Sequence, residues 1–592
     1  MFQKSDRKVD PTCYRSRRSG QIYGPGGLFI FSLMNRSPCL HGGNFWFVGV
    51  DRLCRPLLPN GMVHEGPPSI GELARNTELV MARTSQDTSV TIDWLSRVRL
   101  SEQGAYRDAN ASAAADSPEK TVGSFAVEVR TPAERDYDRL LFSAPVRRMA
   151  DKTQVFPLDK NDSVRTRLTH SHEVSNLARS IGLHVLRQHG EILGLNPADA
   201  EAVPVILAAI GLAHDLGNPP FGHQGEAAIG EWFERNLWVF DRATADGEQL
   251  QNPVVDQQDE FLKFEGNAQT LRLLARLQVQ RDAYGLDLTM GTLAALMKYT
   301  VPCTEVGVGE AKAANKKYGY FASECDVFST VCDFTGLNQG ERHPLAWLME
   351  ACDDIAYSVL DVEDSVKKRI ASYQDLFASL SEASSSDSGD AVMKDLVDKL
   401  RCDVKTVEHK NLSPNEKNDV NIELFRVRAI KILVESVVET FAAFWPAIKA
   451  RTHKTALLET GAGRDLTKFL KNFAFRHAYT HRSVLEVELQ GRAAIMDLMD
   501  WFWIGISDRK CFDDPASKRS SAFARFIYQE ISENYRRLFE THEATDAKGR
   551  PLPIRYRELR LLTDMIAGMT DTFAVEAHQR LAPIYADYAR HK

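Results

Sequence analysis

The segment from Val203 to Glu226 constrains this chain more than any other, because an apolar stretch runs directly into titratable side chains. Residues 203–212 read Val-Pro-Val-Ile-Leu-Ala-Ala-Ile-Gly-Leu, which predicts a buried helix. His214 and Asp215 follow, and a Gly-Asn-Pro-Pro-Phe-Gly turn (217–222) leads to His223 and Glu226. Burying imidazole and carboxylate groups costs free energy unless a partner compensates. A divalent cation is the most economical partner, so the segment predicts a metal site where the helix ends.

Helical periodicity dominates the chain from Thr131 onward. Apolar residues recur there at spacings of three and four, and runs of β-branched residues are scarce. The pattern predicts an all-α fold. The expected helices cover 133–150, 170–190, 198–215, 223–236, 267–280, 289–299, 343–372, 420–450, 465–478, 483–504, 518–539 and 555–580, preceded by a short helix over 91–100. Surface loops are expected over 241–260, 303–316 and 380–390.

Composition narrows the class of protein. Of 592 residues, 43% are hydrophobic and 26% charged, which is typical of a soluble globular protein. The net charge of -7 argues against a global basic field for nucleic acid or membranes. The nine cysteines form no C-x-x-C pair, which favours reduced thiols, and no apolar run has membrane-spanning length. We therefore expect a cytoplasmic protein.

Other helices must supply the remaining ligands of the predicted metal site. His170 opens an amphipathic helix and follows Arg165 and Arg167, an arrangement that is poor for metal affinity but suits a bound polyanion. In a later helix, residues 353, 357 and 361 are Asp, Tyr and Asp at spacings of four, so they share one face amid apolar neighbours. Asp353 is the first choice for the ligand from this helix and Asp354 the second. Each residue alone would more often be an ordinary core or surface group, but the joint pattern favours a site.

Taken together, these motifs resemble the H…HD…D arrangement of the HD-domain phosphohydrolases and, more narrowly, the deoxyguanosinetriphosphate triphosphohydrolase (dGTPase) family. The resemblance covers roughly residues 130 to 580 and is specific, because many separate segments agree in order. The matching segments are Arg135–Ser143, Asp151–Leu158, Arg165–Val174, Ala213–Glu226, Phe264–Gln269, Leu293–Tyr299, Lys316–Phe321, His343–Asp364 and Met565–Asp571.

The resemblance implies a function and a role for each matching residue. It implies hydrolysis of a dNTP, with dGTP preferred, to the deoxynucleoside and inorganic triphosphate, with one divalent ion per subunit, Mn or Mg. The implied metal ligands are His170, His214, Asp215 and Asp353. His223 would be catalytic and Glu226 would orient it. Gln154 would bond the 3′-hydroxyl, and Tyr357 would pack under the deoxyribose and exclude a 2′-hydroxyl. The residues implied around the triphosphate are Arg167, Asn267, Lys298, Tyr299, Lys317 and Asp361.

The resemblance also suggests a domain organisation. We expect a poorly ordered N-terminal extension and loop over 1–125 and an HD catalytic domain over 126–380. A helical C-terminal region over 381–592 would complete the pocket and form an interface in a homo-oligomer, from dimer to hexamer. Single-stranded DNA or a nucleotide effector is a further possible partner, and a membrane is not expected.

Two other functions remain open at this point. One is a different HD-type phosphohydrolase, such as a 5′-nucleotidase or a phosphodiesterase with two metal ions, for which His172 and His223 are the obvious spare ligands. The other is a sensor that binds dNTP or single-stranded DNA without catalysis. Basic clusters at 147–148, 367–369 and 536–537 support nucleic-acid binding only weakly, since such clusters are usually solvated helix faces.

Overall fold

The computed structural model describes residues 94–104, 129–159, 161, 163–243, 249–250, 253–278, 284–308, 313–385 and 391–591. Helices account for most of this part of the chain, which confirms the predicted all-α fold. A hairpin of two-residue strands, β1 (Arg242–Ala243) and β2 (Gln249–Leu250), is a small addition. Within the described residues, every helix is too short or too polar to cross a membrane.

The helices are numbered here in chain order. The first group comprises α1 (Pro132–Leu141), α2 (Ala144–Arg148), α3 (Arg167–Leu193), α4 (Pro197–Ala213), α5 (Gly222–Arg235), α6 (Asp259–Leu262), α7 (Gly266–Arg272), α8 (Met290–Leu296), α9 (Cys325–Thr335) and α10 (Pro344–Lys367). The second comprises α11 (Tyr373–Ser384), α12 (Ala391–Glu408), α13 (Pro414–Lys449), α14 (Leu457–Thr460), α15 (Arg464–Ala474), α16 (Arg482–Ser507), α17 (Ala522–Glu530), α18 (Glu533–Thr541), α19 (Ile554–Ala567) and α20 (Asp571–Arg590).

Several boundaries differ from those expected from the sequence. The helix expected over 91–100 is wrong within the described residues: 94–99 are not helical, and a 3-10 turn begins only at Leu100. The stretches expected as single helices over 133–150, 518–539 and 555–580 are each divided in two or more. Helices α9, α11 and α12 were not expected, and α11 occupies part of the loop predicted over 380–390, of which 386–390 lie outside the described residues.

Most of the predicted N-terminal extension, 1–93 and 105–128, also lies outside the described residues. Residues 94–104, which the expected boundary assigns to that extension, are packed against the helical body. Leu95 and Leu100 are buried in its core, and the Arg99 guanidinium forms a buried ion pair with Asp136 of α1 at 2.8 Å. His343, at the start of α10, holds the carbonyl of Trp94 at 2.7 Å.

Helices α3, α4 and α10 pack against one another and form the centre of the site described below. Asn196 caps α4 by accepting a hydrogen bond from the Asp199 amide, and Pro197 occupies the first turn, where a missing N–H costs nothing. At Gly211 the two helices approach so closely that a Cβ atom would lie 2.9 Å from the Ser175 Cα. A glycine is therefore needed where α4 crosses α3.

The C-terminal helices cover the N-terminal half. Helix α16 packs against α5, and α19 and α20 pack against α16 in turn. The Cys303 and Glu260 region is joined to them by Tyr556 of α19, whose hydroxyl donates to Glu260 at 2.6 Å. Residues beyond 381 therefore belong to the same hydrophobic core as residues 130–380.

Candidate active site

Local sequence places each candidate ligand at a defined point of its helix. Thr166 caps α3 by accepting from the Thr169 amide, so His170 falls in the first turn. His214 is the C-terminal cap residue of α4, and Asp215 follows it. Pro344 and the side chain of His343 start α10, which places Asp353 in its third turn. Three helices thus bring their ligands from different parts of the chain.

The four predicted ligands converge. Asp353 Oδ1 lies 3.3 Å from His170 Nε2 and 3.4 Å from His214 Nε2. Asp215 Oδ2 lies 3.4 Å from His214 Nε2, and the two imidazole rings have centroids 5.5 Å apart. One ligand atom from each of His170, His214 and Asp215 lies within 4.8 Å of the other two, close enough for a single cation to contact all three. Separations of this size leave room for an ion between the donors.

The hydrogen bonds of His214 fit a metal ligand. Its Nδ1 is 2.7 Å from the carbonyl oxygen of Gly211, which can only accept, so the proton is on Nδ1. Its Nε2 is buried and has no hydrogen-bond partner among the described residues. A buried nitrogen lone pair that faces two carboxylates, with the other nitrogen fixed by a backbone carbonyl, is the usual arrangement of a histidine that binds a metal.

Electrostatics support the same interpretation. Burial by itself would lower the pKa of His214, but the Asp215 and Asp353 carboxylates more than offset it and raise that pKa to about 10. Burial opposes ionisation of Asp215, yet Arg167 and His214 hold its pKa well below the usual range, and His214 and His170 do the same for Asp353. The pocket therefore concentrates negative charge that a cation would neutralise in place of the proton.

Arg167 faces Asp215 at this cluster. Its Nη1 forms a short ion pair with Asp215 Oδ2, and its Nη2 donates to the carbonyl of Thr153 at 2.8 Å. The guanidinium is buried. Arg167 thus fixes one carboxylate of the cluster and ties the 153 segment to the start of α3.

His223 and Glu226 form a pair beside the cluster. His223 Nδ1 lies 2.7 Å from Glu226 Oε2, and Glu226 Oε1 accepts from the Gly266 amide at 2.9 Å. The hydrogen bond that His223 donates to Glu226 raises the pKa of His223 above its ordinary value. The His223 side chain is 81% exposed, so a ligand in the pocket can reach it. His172 is exposed on α3 and does not join the cluster.

Cationic and polar groups line the side of α7, α8 and α10. Lys298 Nζ lies 3.5 Å from Glu350, and Lys317 Nζ lies 2.6 Å from Glu265 Oε2. Asn267 donates to the same Glu265 carboxylate at 2.6 Å. These groups are close enough to act on the cluster: Lys298 lowers the pKa of Asp353, and Lys317 lowers that of Glu226. Tyr299 is buried, 5.7 Å from the Arg342 guanidinium.

Tyr357 and Asp361 follow Asp353 on the same face of α10 and extend the site away from the lysines. The Tyr357 ring lies 5.8 Å from the Tyr479 ring, and the Tyr479 hydroxyl donates a short hydrogen bond to Asp361. Asp361 is buried, and burial raises its pKa well above the usual range. Asp354, the second choice for the metal, turns away and bonds Lys471 Nζ at 2.7 Å. Gln154 Oε1 is buried without a hydrogen-bond partner in the described part of the chain.

Sequence reasoning missed several residues of this site. Glu265 and Glu350 hold the lysines, Tyr479 bonds Asp361, and Lys152 donates to the Asn218 carbonyl at 2.6 Å. Glu265 and Lys152 lie within segments that resemble the family, so the resemblance could have pointed to them. Tyr479 follows α15 in a segment that, with His477 and His481, resembles a family segment near the nucleotide pocket, but its bond to Asp361 depends on how that segment packs against α10.

Comparison with known proteins places the chain in a family. The HD domain model matches residues 167–249, and the phosphohydrolase-associated domain model matches 462–580. A deoxyguanosinetriphosphate triphosphohydrolase-like protein of Listeria monocytogenes is 33% identical over 457 residues, 77% of this chain and 94% of the relative. The chain belongs to the deoxyguanosinetriphosphate triphosphohydrolase family. The deoxyguanosinetriphosphate triphosphohydrolase of Salmonella schwarzengrund is 32% identical over 482 residues, 76% of this chain and 93% of the relative.

Membership in the deoxyguanosinetriphosphate triphosphohydrolase family establishes the class of the protein. It is an enzyme, a phosphohydrolase, and its HD domain is a metal-dependent hydrolase domain. The matched HD segment begins with α3 and contains His170, His214 and Asp215. Asp353 lies outside that segment, and α10 brings it to the cluster.

Proposed function

We propose that this enzyme hydrolyses a dNTP, with dGTP preferred, to the deoxynucleoside and inorganic triphosphate. One divalent cation per subunit, Mn or Mg, would be held by His170, His214, Asp215 and Asp353. The observation that carries the proposal is the convergence of these four side chains, with the Nε2 lone pair of His214 buried and unused among the described residues. When bound, the cation would polarise a phosphoryl oxygen and neutralise its charge.

His223 is the proposed proton donor to the departing 5′-oxygen. Its Nδ1 is occupied by Glu226, so Nε2 is the atom that faces the substrate. The hydrogen bond to Glu226 raises the pKa of the imidazole and so favours its protonated form, which suits a general acid. The 2.7 Å hydrogen bond to Glu226 holds the His223 ring in one orientation. Glu226 is itself held in place, because it accepts from the Gly266 amide.

The triphosphate would lie along the basic side of the pocket. Lys298, Lys317 and Asn267 each contact a carboxylate in the free enzyme, and a polyanion would compete with those carboxylates for them. Arg167, Tyr299 and Asp361 complete the proposed set. Burial raises the pKa of Asp361, which favours its neutral form and so limits its repulsion of phosphate.

The deoxyribose would lie on Tyr357. A ring beneath the sugar would leave no space for a 2′-hydroxyl, so ribonucleotides would be rejected. Gln154 Oε1 has no hydrogen-bond partner among the described residues and could accept from the 3′-hydroxyl. A buried amide oxygen without a protein partner is costly unless a ligand satisfies it, which supports this role.

One experiment tests the reaction and ranks the bases. The purified enzyme is incubated with each of the four dNTPs in Mn²⁺, in Mg²⁺ or in EDTA, and the products are separated by chromatography. Deoxynucleoside and triphosphate, without mono- or diphosphate intermediates, are expected with metal, and dGTP should react fastest. Release of single phosphates would instead support a 5′-nucleotidase, and binding without products would support a sensor. Light scattering with and without single-stranded DNA tests the proposed oligomer, from dimer to hexamer, and the proposed DNA contact.

A further inference from the structure

Asp571, the first residue of α20, links the C-terminal region to two segments of the proposed pocket. Its carboxylate is buried and accepts from three donors. Oδ1 accepts from the Phe221 amide at 3.0 Å, and Oδ2 accepts from the Thr153 amide at 2.8 Å. The Thr153 hydroxyl donates a further short hydrogen bond to Oδ2. One side chain therefore fixes two backbone segments that are remote in sequence.

The first of these segments leads to the proposed 3′-hydroxyl contact. Thr153 directly precedes Gln154, whose side-chain oxygen is buried without a partner in the described residues. The Thr153 carbonyl accepts from Arg167 at 2.8 Å, so this peptide is held from both sides. A rotation of the peptide would redirect the Gln154 side chain.

The second segment leads to the proposed general acid. Phe221 has a φ of 60°, a left-handed conformation that costs free energy in a residue with a side chain. Gly222 follows with a φ of 56° and begins α5, which carries His223 in its first turn. Such a conformation persists only where surrounding contacts hold it, and the bond from the Phe221 amide to Asp571 is one of them.

We propose that Asp571 is a positioning residue that sets the orientation of Gln154, and thereby the recognition of the 3′-hydroxyl, while it also fixes the start of α5. The proposal rests on the proposed function. Two neighbouring contacts join the same regions of the chain: Lys152 donates to the Ala567 carbonyl at 2.9 Å, and Thr572 donates to Asp151 at 2.6 Å. Asp571 differs from them because its bonds end next to Gln154 and His223.

The Asp571→Asn substitution isolates this role. An amide has one acceptor oxygen and one donor nitrogen, so it cannot accept from both the Phe221 and the Thr153 backbone amides. The backbone N–H of either Phe221 or Thr153 would then face the side-chain NH2 group of the new asparagine. Two donors cannot bond each other, so that backbone segment would move. Thr572→Val is the matched control, since it removes an exposed hydrogen bond between the same two regions and leaves both amides bound.

The test measures dissociation constants for dGTP and for 2′,3′-dideoxyGTP in Mn²⁺, using calorimetry on the full chain with His223→Ala to suppress turnover. With Asp571 intact, dGTP should bind about 5- to 10-fold more tightly, as expected for one hydrogen bond. In Asp571→Asn, the ratio of the two dissociation constants should fall to within twofold of its value in Gln154→Ala. The variant that carries both substitutions should show no further decrease in this ratio. Thr572→Val should keep the parent ratio.

Other outcomes overturn the proposal. If Asp571→Asn weakens the binding of both nucleotides by the same factor, Asp571 has only a structural role. If the parent binds dGTP and 2′,3′-dideoxyGTP equally well, Gln154 does not recognise the 3′-hydroxyl. If the melting temperature shows that Asp571→Asn does not fold, the Thr153→Val variant takes its place, because it removes only the hydroxyl donor to Asp571 and keeps the bond from the Phe221 amide. A ratio of the two dissociation constants that is unchanged in Thr153→Val would refute the proposal. Failure of the chromatographic assay to show triphosphate would refute the proposed reaction, whereas the binding ratio judges Asp571 independently.

Discussion

The Nδ1 atom of His214 lies 2.7 Å from the carbonyl oxygen of Gly211, and Gly211 is also the residue that lies against Ser175 of α3. The same glycine therefore sets the orientation of one proposed ligand and the distance between the helices that carry His170 and His214. The packing of α4 on α3 and the geometry of the proposed metal site depend on each other.

Gly211→Ala should disturb both at once. The new Cβ would lie 2.9 Å from the Ser175 Cα, a backbone atom that can yield only if the helices separate. We expect destabilisation of about 1–3 kcal/mol and weaker Mn²⁺ binding, measured by thermal unfolding and calorimetry. Gly190→Ala on α3 is the control, because its Cβ would meet nothing within 4 Å. Equal metal affinity in both variants would contradict the coupling.

Asp353→Asn should remove metal binding, and Asp354→Asn should retain it. The two residues are adjacent on α10, but Asp353 faces both histidines while Asp354 bonds Lys471. Loss of a charged ligand should lower Mn²⁺ affinity by at least about tenfold, a loss typical even of residues that support ligands. Metal content of the purified variants measures this. Retention of metal by Asp353→Asn would exclude it from the ligand set.

His223→Ala should lose turnover and keep metal. General acid catalysis contributes about 10²- to 10⁴-fold, so kcat should fall by that factor while Mn²⁺ affinity stays within twofold. Loss of metal from this variant would instead assign His223 to the ligand set. Its matched comparison is Glu226→Gln, which keeps the ring but removes the adjacent carboxylate.

Glu226→Gln should move the basic limb of the pH–rate profile to lower pH. The hydrogen bond that His223 donates to Glu226 raises the pKa of His223, so the imidazolium persists to higher pH in the native enzyme. Without the carboxylate the pKa falls, and the protonated acid is lost earlier as pH rises. The profile of kcat/KM between pH 6 and 10 measures the shift. A shift to higher pH would be incompatible with His223 as the proton donor.

Acidification should destabilise the fold through His343. Burial lowers the pKa of His343 from its ordinary value of about 6.5 to about 4. The unfolded chain therefore binds the proton more readily, and stability is lost as pH falls from about 6.5 to about 4, by up to about 3 kcal/mol. His343→Asn keeps a helix-capping side chain and should show a smaller loss of melting temperature between pH 7 and 5. An equal loss would assign the acid sensitivity to other groups.

The sequence by itself determined the helical class, the approximate course of most helices and the candidates for the proposed ligand set. Periodicity and capping are local, so His170, His214, Asp215 and Asp353 could be named from spacing and resemblance. The breaks near 142–143, 531–532 and 568–570 were missed, because apolar periodicity continues across them. The last turn of α11 was missed because the serine-rich 380–390 segment resembles a loop.

The sequence favoured Asp353 over Asp354, but only the tertiary structure shows that Asp353 is the one of the two that faces the histidines, and which protein groups hold the pocket in place. That choice depends on the rotation of α10 against α3 and α4, which is set by packing between elements more than a hundred residues apart. The same holds for Asp571, whose three donors come from segments 350 and 418 residues away. Local pattern cannot specify such contacts, because their energy exists only after the helices have packed.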